Sequence, residues 1–103
     1  MFGKGMMEKL QAMQGRMEEI KNRLETIVVR GEAENGKIIV QINGNRKVKD
    51  IQLDPELLTG DKEELEELLA VAVNRAIEQA DNVKNSEMQS AAMGMMPGMD
   101  QNP

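Results

Sequence analysis

Cysteine and histidine are absent from this chain of 103 residues, and so are tryptophan and tyrosine. Without Cys there is no disulfide and no thiolate nucleophile. Without His the commonest general base and the commonest metal ligand are missing. A single Phe is the only aromatic side chain, so unstacked bases of a single strand would find almost no platform. Serine occurs only at Ser86 and Ser90, with no base beside it to activate a hydroxyl. No Gly-rich phosphate loop occurs. No apolar run approaches the ~20 residues of a membrane span. The opening Met1–Met7 run, ended by Glu8 and Lys9, is too short for a signal peptide. These absences point to a cytoplasmic protein that is not an enzyme, carries no cofactor or metal, and does not enter a membrane.

What the chain has in quantity is methionine, ten in all. The first stretch uses it in a pattern. Met6, Leu10, Met13, Met17, Ile20, Leu24 and Ile27 repeat at alternating spacings of four and three. That is a heptad seam, the mark of a helix burying one narrow stripe on a partner. Residues Leu10, Met13, Met17, Ile20 and Leu24 are the candidate packing or dimer seam. The seam's borders carry Lys9, Arg16 and Arg23 on one side and Met7, Gln14 and Lys21 on the other, while Glu8, Glu18, Glu19 and Glu25 lie on the far side. A parallel self-pair would bring Arg16 against Lys21 of the other chain, which is unfavourable. The seam is therefore expected on an acidic helix, or crossing its twin at an angle. The basic borders read either as a solvated flank or as a surface facing phosphate. Ahead of the seam, Met1–Gly5 reads as a leader. Gly15 faces away from the seam and costs the helix about 1 kcal/mol relative to Ala.

β-branched residues take over at Thr26–Val29 and three strands are predicted. Val28–Glu34 and Lys37–Asn43 flank Asn35-Gly36, the strongest short hairpin signal, a type I′ turn. This register places Val29, Gly31 and Ala33 opposite Ile42, Val40 and Ile38 on a dry face. Arg30, Glu32, Glu34, Lys37, Gln41 and Asn43 fall on a wet one, with Val28 and Ile39 as exceptions. A third strand, Arg46–Leu53, follows the turn Asn43-Gly44-Asn45. Val48 and Ile51 are three apart, so sharing a face requires a bulge near Lys49-Asp50. The tip carries Arg46, Lys47 and Lys49. Asp54-Pro55-Glu56 reads as a capped turn. Asp61 with Glu64 reads as the capping box of a second long helix, apolar at Leu65, Leu68, Leu69, Ala72, Val73, Ala76, Ile77 and Ala80 and expected to run to about Lys84. Residues 1–86 read as one domain and 87–103, rich in Met and Gly, as a disordered tail.

Net charge is -5 but unevenly placed. Residues 1–50 hold ten Lys/Arg against seven Asp/Glu; residues 51–103 hold three against eleven. Sorting of this kind suggests a basic working face on an acidic molecule; it also fits two halves that attract each other on folding. A core this poor in aromatics is thin, and thin cores are often completed by oligomerisation. The two helices offer more apolar stripe than one face of three strands can cover, so a homodimer is expected.

The wording of the middle is more specific than its pattern. The run Val29-Arg30-Gly31-Glu32-Ala33-Glu34-Asn35-Gly36-Lys37-Ile38-Ile39-Val40, then Ile42-Asn43-Gly44-Asn45 and Val48 through Leu58, resembles the YbaB/EbfC family of bacterial nucleoid-associated proteins. So do Asp61–Leu68 and Ala72–Ile77. The resemblance implies an α+β homodimer, ordered α-β-β-β-α around a three-stranded antiparallel sheet, with long projecting helices. It implies binding to double-stranded DNA with little sequence preference, in the nucleoid. The family's contacts are assigned to basic helical surfaces. Phosphate contact needs Lys or Arg, and the candidates are Lys9, Arg16, Lys21, Arg23, Arg46, Lys47 and Lys49. The alternative is a protein-interaction module working with replication or recombination proteins, through adaptable Met-rich surface.

Overall fold

Asn35-Gly36 closes the hairpin on which the sheet is built. In the computed structural model, which describes residues 3–95, both residues have positive φ (55° and 87°), as a type I′ turn requires. The Lys37 amide donates to the Glu34 carbonyl at 3.2 Å. The strands are β1 (Val28–Ala33), β2 (Ile38–Asn43) and β3 (Val48–Leu53), antiparallel in the order β1-β2-β3. Val29 pairs with Ile42, Gly31 with Val40 and Ala33 with Ile38, the register that the alternation predicts. Helix α1 (Lys4–Thr26) precedes the sheet and α2 (Lys62–Met95) follows it. The architecture is the α-β-β-β-α one expected.

The bulge in β3 is also present. Gln41 pairs with Asp50 and Ile42 with Val48, which leaves Lys49 as the extra residue. Val48 and Ile51 thereby reach the same face. The strand begins at Val48 rather than Arg46, because Asn43–Lys47 folds into a turn of its own. Asn43 Oδ1 accepts from the amides of Asn45 (2.9 Å) and Lys47 (3.0 Å), and the Asn43 amide donates to the Lys47 carbonyl. Asn43, expected on the wet face, is in fact fully buried, since its side chain ties this turn to the end of α1.

The core is the dry face of the sheet against α2. Ala33, Ile38, Val40 and Ile42 meet Ala72, Ala76 and Ala80. Burying each of the branched side chains contributes about 1.5–3 kcal/mol. The alanine row brings the α2 backbone onto Gly31, where an added Cβ would strike Ala72 O and the Ala76 backbone. A second close approach, Gly44 against Leu24, sets α1 on the sheet, with the Gly44 amide donating to Leu24 O (2.9 Å) and Ile27 O (3.0 Å).

α2 lies over β1 and β2, and Arg75 donates to the Glu32 carbonyl of β1 at 2.8 Å. Val73 and Ile77 fall on the flank opposite Arg75 and are partly buried against the core. On β3, Val48 and Ile51 remain about half exposed. Asp54 caps the 3-10 helix Pro55–Thr59 through the Glu56 amide (2.9 Å). Asp61 caps α2 through the Glu63 amide (3.0 Å).

Two helix boundaries differ from expectation, and β1 and β2 each stop one residue short of the turn. α1 starts at Lys4, inside the expected leader. α2 does not stop near Lys84 but continues to Met95. Glu87, Met88, Gln89, Ala91 and Ala92 are helix formers, and tertiary contacts hold them. Arg23 Nε pairs with Glu87 at 2.7 Å, and Met88 is half-buried. Residues 87–95 of the expected tail are therefore helical, and 96–103 lie outside the described residues. The two helices run antiparallel, Arg23 beside Glu87 and Met13 near Ala91 and Ala92. The result is an elongated molecule, 65 × 35 × 20 Å.

Candidate nucleic-acid interface

The heptad seam is divided by the fold. Ile20 and Leu24 are buried, Leu24 against Gly44 and Ile20 toward Met88. Further out, Met6, Met7, Leu10, Met13 and Met17 are 45 to 55 % exposed. The first four turns of α1 thus form an exposed arm, with the end of α2 beside Met13 and Met17.

Three of the seven candidate cations are engaged with carboxylates. Arg23 meets Glu87. Arg46 holds Asp81 in a bidentate pair, Nη2 to Oδ1 at 2.7 Å and to Oδ2 at 2.8 Å. Lys47 Nζ donates to Glu25 Oε1 at 2.9 Å. Among the described residues, Lys9, Arg16, Lys21 and Lys49 make no ion pair. Lys9 and Arg16 share one border of the arm, seven residues or about 10 Å apart along the axis.

The tip and the helix are brought together as well. A groove of about 550 Å³ has Met17, Ile20, Leu24 and Met88 along its apolar part and Lys21, Lys47 and Lys84 around it. Lys84 also sits with Asn45 and Arg46 on the far side of that turn. The sequence does not point to Lys84, because it stands on an acidic helix and its approach to the 43–47 turn is purely tertiary. Glu18 and Glu25 share the groove, so its charge is mixed.

Glu25 shows how the tip is fixed. The Lys47 ammonium, hydrogen-bonded to it, and then the Asn45 amide (2.6 Å) hold its carboxyl down from the ordinary 4.5 to about 2; the positive charges of Lys47 and Lys49 add to this, and burial works against it. The folded value lies below the unfolded one. The contact therefore stabilises the fold above pH 4.5 and loses that effect as pH falls toward 2. A carbon-detected NMR titration should place the Glu25 midpoint near 2 in the native chain. Replacing Lys47 with Met should return it toward 4.5. An unchanged midpoint in that variant would remove Lys47 as the cause.

No helix among the described residues is long and apolar enough to cross a membrane. Comparison with solved structures gives a likeness to an uncharacterized protein of Helicobacter pylori, with a TM-score of 0.77 at 18% identity, covering 89% of this chain and 99% of that one. At that identity the likeness speaks for the fold. Among curated proteins, the chain is 40% identical over 99 residues to a nucleoid-associated protein of Flavobacterium johnsoniae, covering 93% of this chain and 92% of that protein. It is 35% identical over 91 residues to one of Chlorobaculum tepidum, with 88% and 81% covered. A nucleoid-associated protein of Chlorobium phaeobacteroides is 37% identical over 95 residues, with 92% and 85% covered. The model of the YbaB/EbfC DNA-binding family matches residues 2–96, so from the arm of α1 to the end of α2 this chain belongs to that family.

Proposed function

We propose that this protein binds duplex DNA in the nucleoid as a homodimer, through phosphate contacts that read little sequence. The observation that carries the reading is the basic borders of the arm: Lys9 and Arg16 on one side and Lys21 on the other are on an exposed helix and have no carboxylate partner among the described residues. A cation already in an ion pair gains less from a phosphate, so Arg23, Arg46 and Lys47 are secondary contacts. Lys49 and Lys84 extend the basic surface past the tip. With few donors shaped for base edges, binding is led by the backbone. The acidic N-terminal turns of α2, with Glu63, Glu64, Glu66 and Glu67, repel the duplex and leave the arm as the approachable part.

The dimer would form on the β3 side of the sheet, where Val48 and Ile51 are about half exposed. A second copy of the same patch would cover these side chains and extend the thin core. Two arms on one particle raise affinity through effective concentration.

The test is fluorescence anisotropy of a labelled duplex titrated at several salt concentrations. A fall of log K with log salt is expected, about 0.9 for each phosphate neutralised. Replacing Lys9, Arg16 and Lys21 with Ala should reduce that slope by about 0.9 per lost contact, while sedimentation still reports a dimer. Ile51→Glu should give a folded monomer, since Ile51 is 45 % exposed within one chain, and binding should weaken with the loss of the second arm. Absence of binding at low salt would overturn the DNA reading. A dimer that survives Ile51→Glu would overturn the assigned interface.

A further inference from the structure

The chain spends ten residues on methionine and none on cysteine, and the DNA reading does not call for thioethers. Leu would fill a heptad seam as well. The structure brings three of the described methionines, Met13, Met17 and Met88, to one cavity. Met6, Met7, Met13 and Met17 line the arm, and Met88 and Met93 stand on the α2 extension that runs beside it. Met13 and Met17 are about half exposed. They also border, with Ile20, Met88, Ala91 and Ala92, a cavity of about 140 Å³ between the two helices. Half-exposed thioether side chains thus form part of the apolar contact joining the arm to α2.

We propose that Met13, Met17 and Met88 form a site of reversible oxidation to methionine sulfoxide, and that this modification separates the arm from the α2 extension. The co-reactant is hydrogen peroxide. The thioether sulfur attacks one peroxide oxygen, and the S–O bond forms as the O–O bond breaks. The proton on the transferred oxygen moves to the departing hydroxide, which leaves as water. Sulfur loses two electrons and the peroxide gains them. The product is polar and chiral, and reductases specific for each epimer restore the thioether. No thiol competes for the oxidant in this chain.

The consequence follows from where the oxygen must go. A sulfoxide at Met17 or Met88 either enters a cavity where Ile20, Ala91 and Ala92 offer no donor, or turns toward Arg16 at its border or toward solvent, which takes the side chain out of the apolar contact. Beyond the Arg23–Glu87 ion pair, little else joins the helices at this end. Arg16 borders the same cavity, so separation also moves a cation of the arm. That last step rests on the DNA reading; the separation itself does not.

The experiment treats the full chain with graded hydrogen peroxide, maps sulfoxides by peptide mass spectrometry, and follows amide hydrogen exchange. Exchange in residues 13–20 and 86–92 should quicken on the order of tenfold or more, the effect of placing an unpaired polar group in an apolar contact. Exchange in the sheet should not change. Treatment with both sulfoxide reductases should restore the native rates. The variant Met13→Leu, Met17→Leu, Met88→Leu keeps the volume of the contact and should show no response to peroxide. Native protein oxidised at these sites with unchanged exchange would overturn the proposal, as would an equal response from the triple variant. Anisotropy on the same samples reads the link to DNA: loss of affinity together with faster exchange supports it. Faster exchange in a protein that never bound DNA would sink the DNA reading alone.

Discussion

Gly31→Ala is expected to remove about 3 kcal/mol or more of folding stability, the upper range for overpacking a tight contact. The same substitution at Gly15 should add about 1 kcal/mol, because Ala is the better helix former. The sign is decided by what the new methyl group meets. At Gly31 it meets backbone: the Ala72 carbonyl oxygen, the Ala76 nitrogen and, at 2.9 Å, the Ala76 Cα. Backbone in the middle of a 34-residue helix cannot rotate aside as a side chain can. Relief requires lifting α2 off the sheet. Ala72, Ala76 and Ala80 would then lose contact with Ile38, Val40 and Ile42, all now buried. At Gly15 nothing lies within 4 Å and only the helix's own preference counts. Urea melts of the two variants should therefore move in opposite directions from the native midpoint. A Gly31→Ala midpoint at the native value would mean that α2 does not rest on β1 as closely as described.

Much of this arrangement can be read from the chain. Asn35-Gly36 with the alternation on either side sets the hairpin register, because a period of two leaves only one pairing with a dry face. Val48 and Ile51, three apart, require the bulge that Lys49 provides. Small residues at Gly31 and Ala33 announce a close helix, though not the distance. The features that cannot be read depend on residues far apart in sequence. Asn43 looks like a wet-face polar residue, and its burial depends on Glu25, 18 positions away. Arg46 looks like an available cation, and Asp81 is 35 positions on. The end of α2 is hidden differently. Met, Ser and Gln make residues 87–95 look like a low-complexity tail, and their helix depends on Arg23 and the arm. Of the candidate site, the arm's border is legible because heptad spacing fixes it locally. The pairing that divides the seven cations is not.

Asn43→Leu carries the second large effect, about 3 kcal/mol of destabilisation. The shape is nearly kept, so the loss comes from stranded partners. The amides of Asn45 and Lys47 lose the acceptor Asn43 Oδ1, and the Glu25 carbonyl loses the Asn43 Nδ2 donor at 3.4 Å. Each buried polar group left unpaired costs about 1–3 kcal/mol, and Asn43 itself has no solvent exposure. The damage should also travel. The turn it braces carries Asn45 and Lys47, which hold Glu25 of α1, and Arg46, which holds Asp81 of α2. One buried amide thus fixes both long helices to the same end of the sheet. In Asn43→Leu the Glu25 carboxyl should titrate above its native value of about 2, moving back toward 4.5. Asn43→Asp is no milder a change: it keeps an oxygen for the amides of Asn45 and Lys47, but it buries a charge and sets an acceptor against the Glu25 carbonyl, so it should destabilise the fold as well. A Glu25 midpoint that stays near 2 in Asn43→Leu would mean that the turn holds without its buried amide, and the clamp on the two helices would have to be sought elsewhere.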